Sequence, residues 1–186
     1  MKLKNAFVAS LVAGTLALAS LSASAQKDPM VGGAAMYPTK TIVENAINSP
    51  IHKTLVAAVK AAGLVDTLNG PGPFTVFAPT DDAFAKLPPG TVDTLVKPEN
   101  KATLVKILTY HVVPGKITSK ELRHDIKKGG GKYEMTTVEG GKLTASMSGD
   151  KIMLTDEKGG MATITIADVY QSNGVIDVID SVLMPN

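Results

Sequence analysis

The chain has no cysteine and no tryptophan among its 186 residues, only 4% aromatic residues and three histidines. The missing cysteines exclude a disulfide scaffold, a thiol nucleophile, thiolate-held zinc or iron–sulfur centres and a lipid-modified cysteine. A metal site would have to be built from histidines and carboxylates alone. No charge of one sign dominates: 19 Lys and Arg stand against 17 Asp and Glu, a formal charge of +2. That balance provides no electrostatic footprint for nucleic acid or an anionic membrane. What remains is length enough for one ordinary domain, which buries roughly 70% of the surface its unfolded chain exposes.

Long apolar runs are also missing, except at the start. Lys2 and Lys4 form a short positive end, residues 6–21 read AFVASLVAGTLALASL, and Ala23-Ser24-Ala25 places small side chains where a peptidase cuts. This is the layout of a secretory signal peptide over residues 1–25, cleaved before Gln26. The run is shorter than the roughly 20 residues a spanning helix needs. Its removal takes away two lysines and no acid, so the exported product is expected to carry 17 basic against 17 acidic residues and no transmembrane segment.

Residues 26–38 (QKDPMVGGAAMYP) have no periodicity and read as a flexible leader, with the domain over 39–185. Ile42, Val43, Ala46 and Ile47 recur at helical spacing, and Ser49 followed by Pro50 reads as the cap and first residue of a second helix ended by Gly63. Gly70-Pro71-Gly72-Pro73 is a rigid turn before a short strand, Phe74 to Phe77, that Pro79 stops. Thr80 then caps a helix with Asp81 and Asp82 in its first turn. Thr91 is expected to cap a short successor, and Pro98 and Glu99 to open a longer helix in which Leu104, Ile107, Leu108 and His111 share one face.

From Lys132 onward the period becomes strand-like. The segments MTTV, KLTASMS, KIMLT, ATITIADVY and VIDVIDSVLM are separated by hairpin-type connections, of which Asn173-Gly174 is the strongest signal for a tight turn with two residues at positive φ. Helices in the first half and antiparallel strands in the second predict an α+β domain.

Three segments then carry a recognisable pattern: FAPTDDAF (Phe77 to Phe84), TYHVVPG (Thr109 to Gly115) and NGVIDVIDSVLMP (Asn173 to Pro185). In this order and at these separations they resemble the fasciclin (FAS1) domain, the module of fasciclin and βig-h3-type proteins and of many bacterial secreted proteins. The resemblance implies a β-wedge of two packed sheets with helices segregated to the N-terminal half. It also implies a role in adhesion or protein interaction without catalysis. Phe77 and Phe84 would seat the strand and the following helix in one core, and Thr80 and Asp81 would satisfy the donors at the helix start. His111 is expected to hydrogen-bond a group near that cap. In adhesive family members the Tyr-His region is implicated in binding, which carries over to Leu108, Tyr110, His111, Val112 and Val113; the same residues are equally explained as core. Asn173, Gly174, Asp177 and Asp180 belong to the third motif, with Asp177 standing where many members have His. Asp177 and Asp180, three residues apart on a strand, would face opposite sides and form neither a catalytic pair nor a shared metal site.

No Gly-x-Ser-x-Gly elbow, His-Glu-x-x-His, phosphate loop or dinucleotide fingerprint is present. Gly129-Gly130-Gly131-Lys132 lacks the spacing and the hydroxyl of a phosphate loop, and His52 and His124 lie in polar surroundings that predict exposure. No cofactor or metal is expected, and no catalytic residue is assigned. The alternative is a periplasmic small-ligand or Cu(I)-binding protein using thioethers such as Met30 and Met36, or Met135, Met147, Met153 and Met161; methionine in strands is more simply core filler. The expected function is therefore an exported interaction module whose partner is a cell-surface, matrix or periplasmic protein or polysaccharide.

Overall fold

The structure is a computed structural model, and it describes residues 28–186; the signal peptide expected over 1–25 lies outside them. Two short strands, β1 (Met30–Val31) and β2 (Ala34–Ala35), pair as a hairpin. Four short helices and two longer ones follow, interrupted by one strand: α1 (Ile42–Asn48), α2 (Lys53–Ala62), α3 (Val65–Leu68), β3 (Phe74–Pro79), α4 (Asp81–Ala85), α5 (Thr91–Leu95) and α6 (Lys101–Tyr110). Strand β4 (Val112–Pro114) and helix α7 (Ser119–Lys128) lead into β5 (Lys132–Thr136), β6 (Lys142–Ser148), β7 (Lys151–Thr155), β8 (Met161–Gln171) and β9 (Gly174–Ile179).

The strands form a seven-stranded sheet in the order β4-β3-β9-β8-β7-β6-β5, α+β as expected. The two sheets of the expected wedge are continuous through β8, whose first residues pair with β7 and whose remainder pairs with β9. Register irregularities between Ile164, Ile166 and Val169 mark the bend, since a bulge adds local twist and turns a strand. The backbone N–H of Val138 donates to the Val112 carbonyl at 2.7 Å, bringing the two ends of the sheet together. One pairing departs from the antiparallel expectation: β3 and β9 run parallel, neither at an edge of the sheet and both buried on both faces.

That central position divides the interior into two cores. Val76 and Ala78 of β3 and Ile176 and Val178 of β9 face a helical core with Leu55, Val59, Leu104 and Leu108. Phe77 and Ile179 face the other, inside the bent sheet, with Leu143, Leu154, Leu122 and Ile126. Phe77 and Phe84 therefore do not share a core as expected: strand alternation sends Phe77 to the sheet core, whereas Phe84 joins the helical one.

Several expected boundaries shift. The segment read as a leader is docked from Pro29, with Val31 and Met36 each 2% exposed in the helical core. Asn45 of α1 holds it, accepting the Tyr37 N–H at 3.0 Å and donating to the Tyr37 carbonyl at 2.8 Å and to Gln171. Ser49 closes α1 instead of opening α2, which starts at Lys53. Gly63 does end α2 in the left-handed conformation. Gly90 occupies the cap position assigned to Thr91, which is the first residue of α5. The helix α7 was not anticipated, although Thr118 and Glu121 form a capping box at its start, the pattern that announces such a helix.

Candidate functional site

The Tyr-His segment sits where the two cores meet. Helix α6 presents Leu104, Ile107 and Leu108 to the interior and ends at His111, as its spacing predicts. Leu108, Tyr110, His111, Val112 and Val113 are all buried, none more than 5% exposed. They are packing residues that an approaching partner does not touch, so the binding role carried over to them gives way to the core alternative. Leu108 and Val112 belong to the helical core, Tyr110 and Val113 to the sheet core.

Each polar atom of the pair is engaged. His111 Nδ1 lies 2.9 Å from the Ile107 carbonyl, which can only accept, so Nδ1 carries the proton. Nε2 then accepts the Leu183 N–H at 3.0 Å. His111 thus ties the end of α6 to the C-terminal segment, not to the Thr80-Asp81 cap as expected. Burial pulls its pKa down to about 4, so the imidazole is neutral at ordinary pH. The Tyr110 hydroxyl donates to the Lys142 carbonyl at 2.5 Å and accepts the Glu157 N–H at 3.2 Å. Burial, with Glu157, Asp156 and Glu139 nearby, pushes its pKa up to about 12 against the opposing Glu157 N–H.

The FAPTDDAF motif works across two helices. Thr80 caps α4, accepting the Ala83 N–H at 3.1 Å. Asp81 instead caps α2, accepting the Thr54 N–H at 2.8 Å and the Lys53 N–H at 3.3 Å. Burial pushes its carboxyl upward, but those N–H donors and the nearby His52 together hold it below its ordinary value. His52, expected to be exposed, is 3% exposed. Its Nδ1 is 2.7 Å from Ser49 Oγ, and its Nε2 has no hydrogen-bond partner. Burial lowers its pKa despite the Ala78 carbonyl and Asp81, the carbonyl lying near the ring without completing a hydrogen bond. His124 is exposed, as predicted.

The third motif is a clamp. The chain does turn tightly here, with Gln171 paired to Gly174 across a two-residue connection, but neither Asn173 nor Gly174 has positive φ, so the turn is not of the expected type. The Asn173 side chain accepts the Ile42 N–H at 3.0 Å and donates to the Leu68 carbonyl at 2.8 Å and the Gly70 carbonyl at 3.1 Å, joining α1, α3 and the turn before β3. Gly174 is glycine because β3 crosses there: a Cβ would stand 2.1 Å from the Phe74 carbonyl oxygen. Asp177 is fully buried, with Oδ1 accepting the Asp168 N–H at 2.9 Å and Oδ2 unpartnered. Asp168, at φ 60 on the irregular stretch of β8, in turn accepts the Ser119 N–H at 2.7 Å at the start of α7. Asp180 binds elsewhere, accepting the Thr163 N–H at 2.8 Å.

Sequence reasoning passed over Asp156, which is 7% exposed and accepts the N–H groups of Lys158, Gly160 and Met184. An Asp before Gly159-Gly160 was the available signal. Of the two methionines named for Cu(I) near the start of the domain, Met30 is exposed and Met36 is buried in the helical core. Among the described residues no group of three His, Asp or Glu is placed to hold a metal ion.

A parallel β3–β9 pair lies between a helical core and a bent sheet, tied in place by the buried Tyr110-His111 pair and by Asn173-Gly174, and this fold defines the class of the protein. The fasciclin-domain family model matches residues 50–185, and the chain belongs to that family. It is 48% identical to protein sll1483 of Synechocystis, over 92% of this chain and 87% of that protein. The immunogenic protein MPB70 of Mycobacterium bovis is 35% identical over essentially the full length of both. The cell surface glycolipoprotein MPB83 of the same species is 37% identical over 83% of this chain and 64% of that protein. Among solved structures, the FAS1 domain pair of the insect cell adhesion molecule fasciclin I shares the fold with a TM-score of 0.70 at 20% identity. The match covers 78% of this chain, and the chain spans about half the length of that structure. The protein is thus a FAS1 module of the adhesion and interaction type.

Proposed function

We propose that the protein is exported and acts as a non-catalytic module that holds a cell-surface, matrix or periplasmic protein or polysaccharide through its outer surface. The observation that carries this reading is the burial of Leu108, Tyr110, His111, Val112 and Val113, with both nitrogens of His111 and the Tyr110 hydroxyl spent on internal hydrogen bonds. What faces outward is a surface of mixed charge, with exposed Met30, Tyr37 and Ile47 along β1, the link to α1, and α1 itself. No helix among the described residues is long and apolar enough to cross a membrane. The description of MPB83 as a cell surface protein and of fasciclin I as an adhesion molecule supports the same role here.

Crosslinking the purified protein to the envelope and matrix fraction of its own cells tests the proposal. Capture of a surface component that persists from low to moderate salt, and is lost when Met30, Tyr37 and Ile47 are all changed to Ser, supports it. The salt insensitivity follows from the balance of charges, since no single-sign field exists to be screened. Capture that collapses with salt, or that the triple variant leaves intact, overturns it.

A further inference from the structure

The helical core encloses a cavity of about 50 Å³ beneath α1 and α2. Val43, Leu55, Val59 and Ile176 are among its walls, which are almost wholly apolar. The lining residues that reach solvent are chiefly Ala46 of α1, Val56 and Lys60 of α2 and Val65 of α3, so the opening lies between α1 and α2, with α3 at its end. Besides Lys60 at the mouth, three polar side chains border the space: Ser49, His52 and His111. His111 has no free ring nitrogen, being bonded to Ile107 and Leu183. Ser49 Oγ and His52 Nδ1 satisfy each other at 2.7 Å. Nε2 of His52 is left over, an unpartnered polar atom on a side chain 3% exposed.

The chemistry of these walls selects among possible guests. The space exceeds the roughly 10–15 Å³ one water needs, but a buried water is held by two to four polar partners, and most of this wall is hydrocarbon. A charged group inside the space would lose its hydration against apolar side chains, the Lys60 ammonium being an exposed charge at the mouth and not in the interior. A hydroxyl both donates and accepts, so it pairs with Nε2 in either tautomer of a neutral His52. An apolar body attached to it recovers the dispersion contacts that a void forfeits.

We propose that this cavity is a binding site for a small uncharged molecule with an apolar body and one hydroxyl group, entering between α1 and α2 and exchanging a hydrogen bond with His52 Nε2. The site is separate from the outward surface proposed above, and either can stand without the other.

The probes are n-butanol and its hydroxyl-free counterpart n-pentane, titrated into the purified protein while Leu, Ile and Val methyl groups and the histidine ring nitrogens are followed by NMR. Both should shift the methyls of Leu55, Val59 and Ile176 saturably, and butanol alone should move the Nε2 resonance of His52. In His52→Phe the affinity of butanol relative to pentane should fall by about fivefold, the size of one neutral hydrogen bond. Should that variant not fold, Ala46→Leu at the partly exposed mouth leaves His52 in place and is expected to weaken both probes by about tenfold, the order a misfitted methylene or two imposes in an apolar pocket. The proposal is overturned by shifts that do not saturate, by an Nε2 resonance that butanol leaves in place, by a butanol-to-pentane ratio unchanged in His52→Phe, or by Ala46→Leu binding both probes as before.

Discussion

Replacing Asp177 by Asn changes how stability depends on pH, and the structure sets the size of the change. Asp177 lies fully buried on β9 with one carboxylate oxygen unpartnered. Burial pushes its carboxyl up to about 7, the Asp168 N–H opposing and the Asp168 carboxylate adding to it. A group with a raised pKa keeps its proton in the folded chain where the unfolded chain has lost it. The stability it contributes is therefore full below the ordinary carboxylate value of 3.8 and is lost as pH rises through about 7. At about 1.36 kcal/mol for each tenfold, that loss is about 4 kcal/mol. Asparagine has the same shape, keeps an oxygen for the Asp168 N–H and cannot ionise, so the stability of Asp177→Asn relative to wild type should rise by this amount from about pH 4 to about pH 8. His111 works in the opposite sense: its pKa is lowered to about 4, so its contribution is full above 6.5 and is lost as pH falls toward 4. In wild type the two slopes oppose each other over one interval and the profile is shallow; the variant removes one and should lose stability on acidification by about 3 kcal/mol. Urea unfolding of both proteins across this range measures the difference. A difference that stays constant with pH refutes the reasoning, because it would mean that Asp177 is solvated or paired.

Gly174→Ala should destabilise by about 3 kcal/mol or more, since the new Cβ meets backbone of β3 inside the sheet, where overpacking is not relieved; a thermal unfolding shift equivalent to less than about 1 kcal/mol contradicts the clamp. Tyr110→Phe should cost about 1–3 kcal/mol by leaving the Lys142 carbonyl and the Glu157 N–H without their partner, checked by denaturant unfolding. Thr80→Ala and Asp81→Ala should each cost about 1 kcal/mol but in different places. Amide exchange should accelerate at the start of α4 in the first and at the start of α2 in the second; acceleration of α4 alone in both would restore the single-helix reading of the motif.

What the sequence by itself determined is what short-range physics decides. The absence of cysteine and the balance of charge bounded the chemistry. The face of α6 followed from the spacing of Leu104, Ile107, Leu108 and His111, the left-handed end of α2 from Gly63, and the cap of α4 from Thr80, because each depends on neighbours within one or two turns. The strand-like second half was legible for the same reason, in period-two segments between glycine-rich turns. Helix α7 was equally legible in its capping box and was passed over. Tertiary structure alone decided the partners. Asp81 looks like a first-turn residue of its own helix, yet it caps another 27 residues earlier in the chain. Asn173 reads as a turn former and is one, yet its side chain also binds Ile42, 131 residues away. His52 sits in a polar stretch of sequence and is buried because β3 and α2 close over it, and Val31 and Met36 become core only once Asn45 and Gln171 hold the segment that bears them. A side chain's local neighbours fix which atoms it can offer, but only the folded chain decides which distant atoms, and how little water, it will meet.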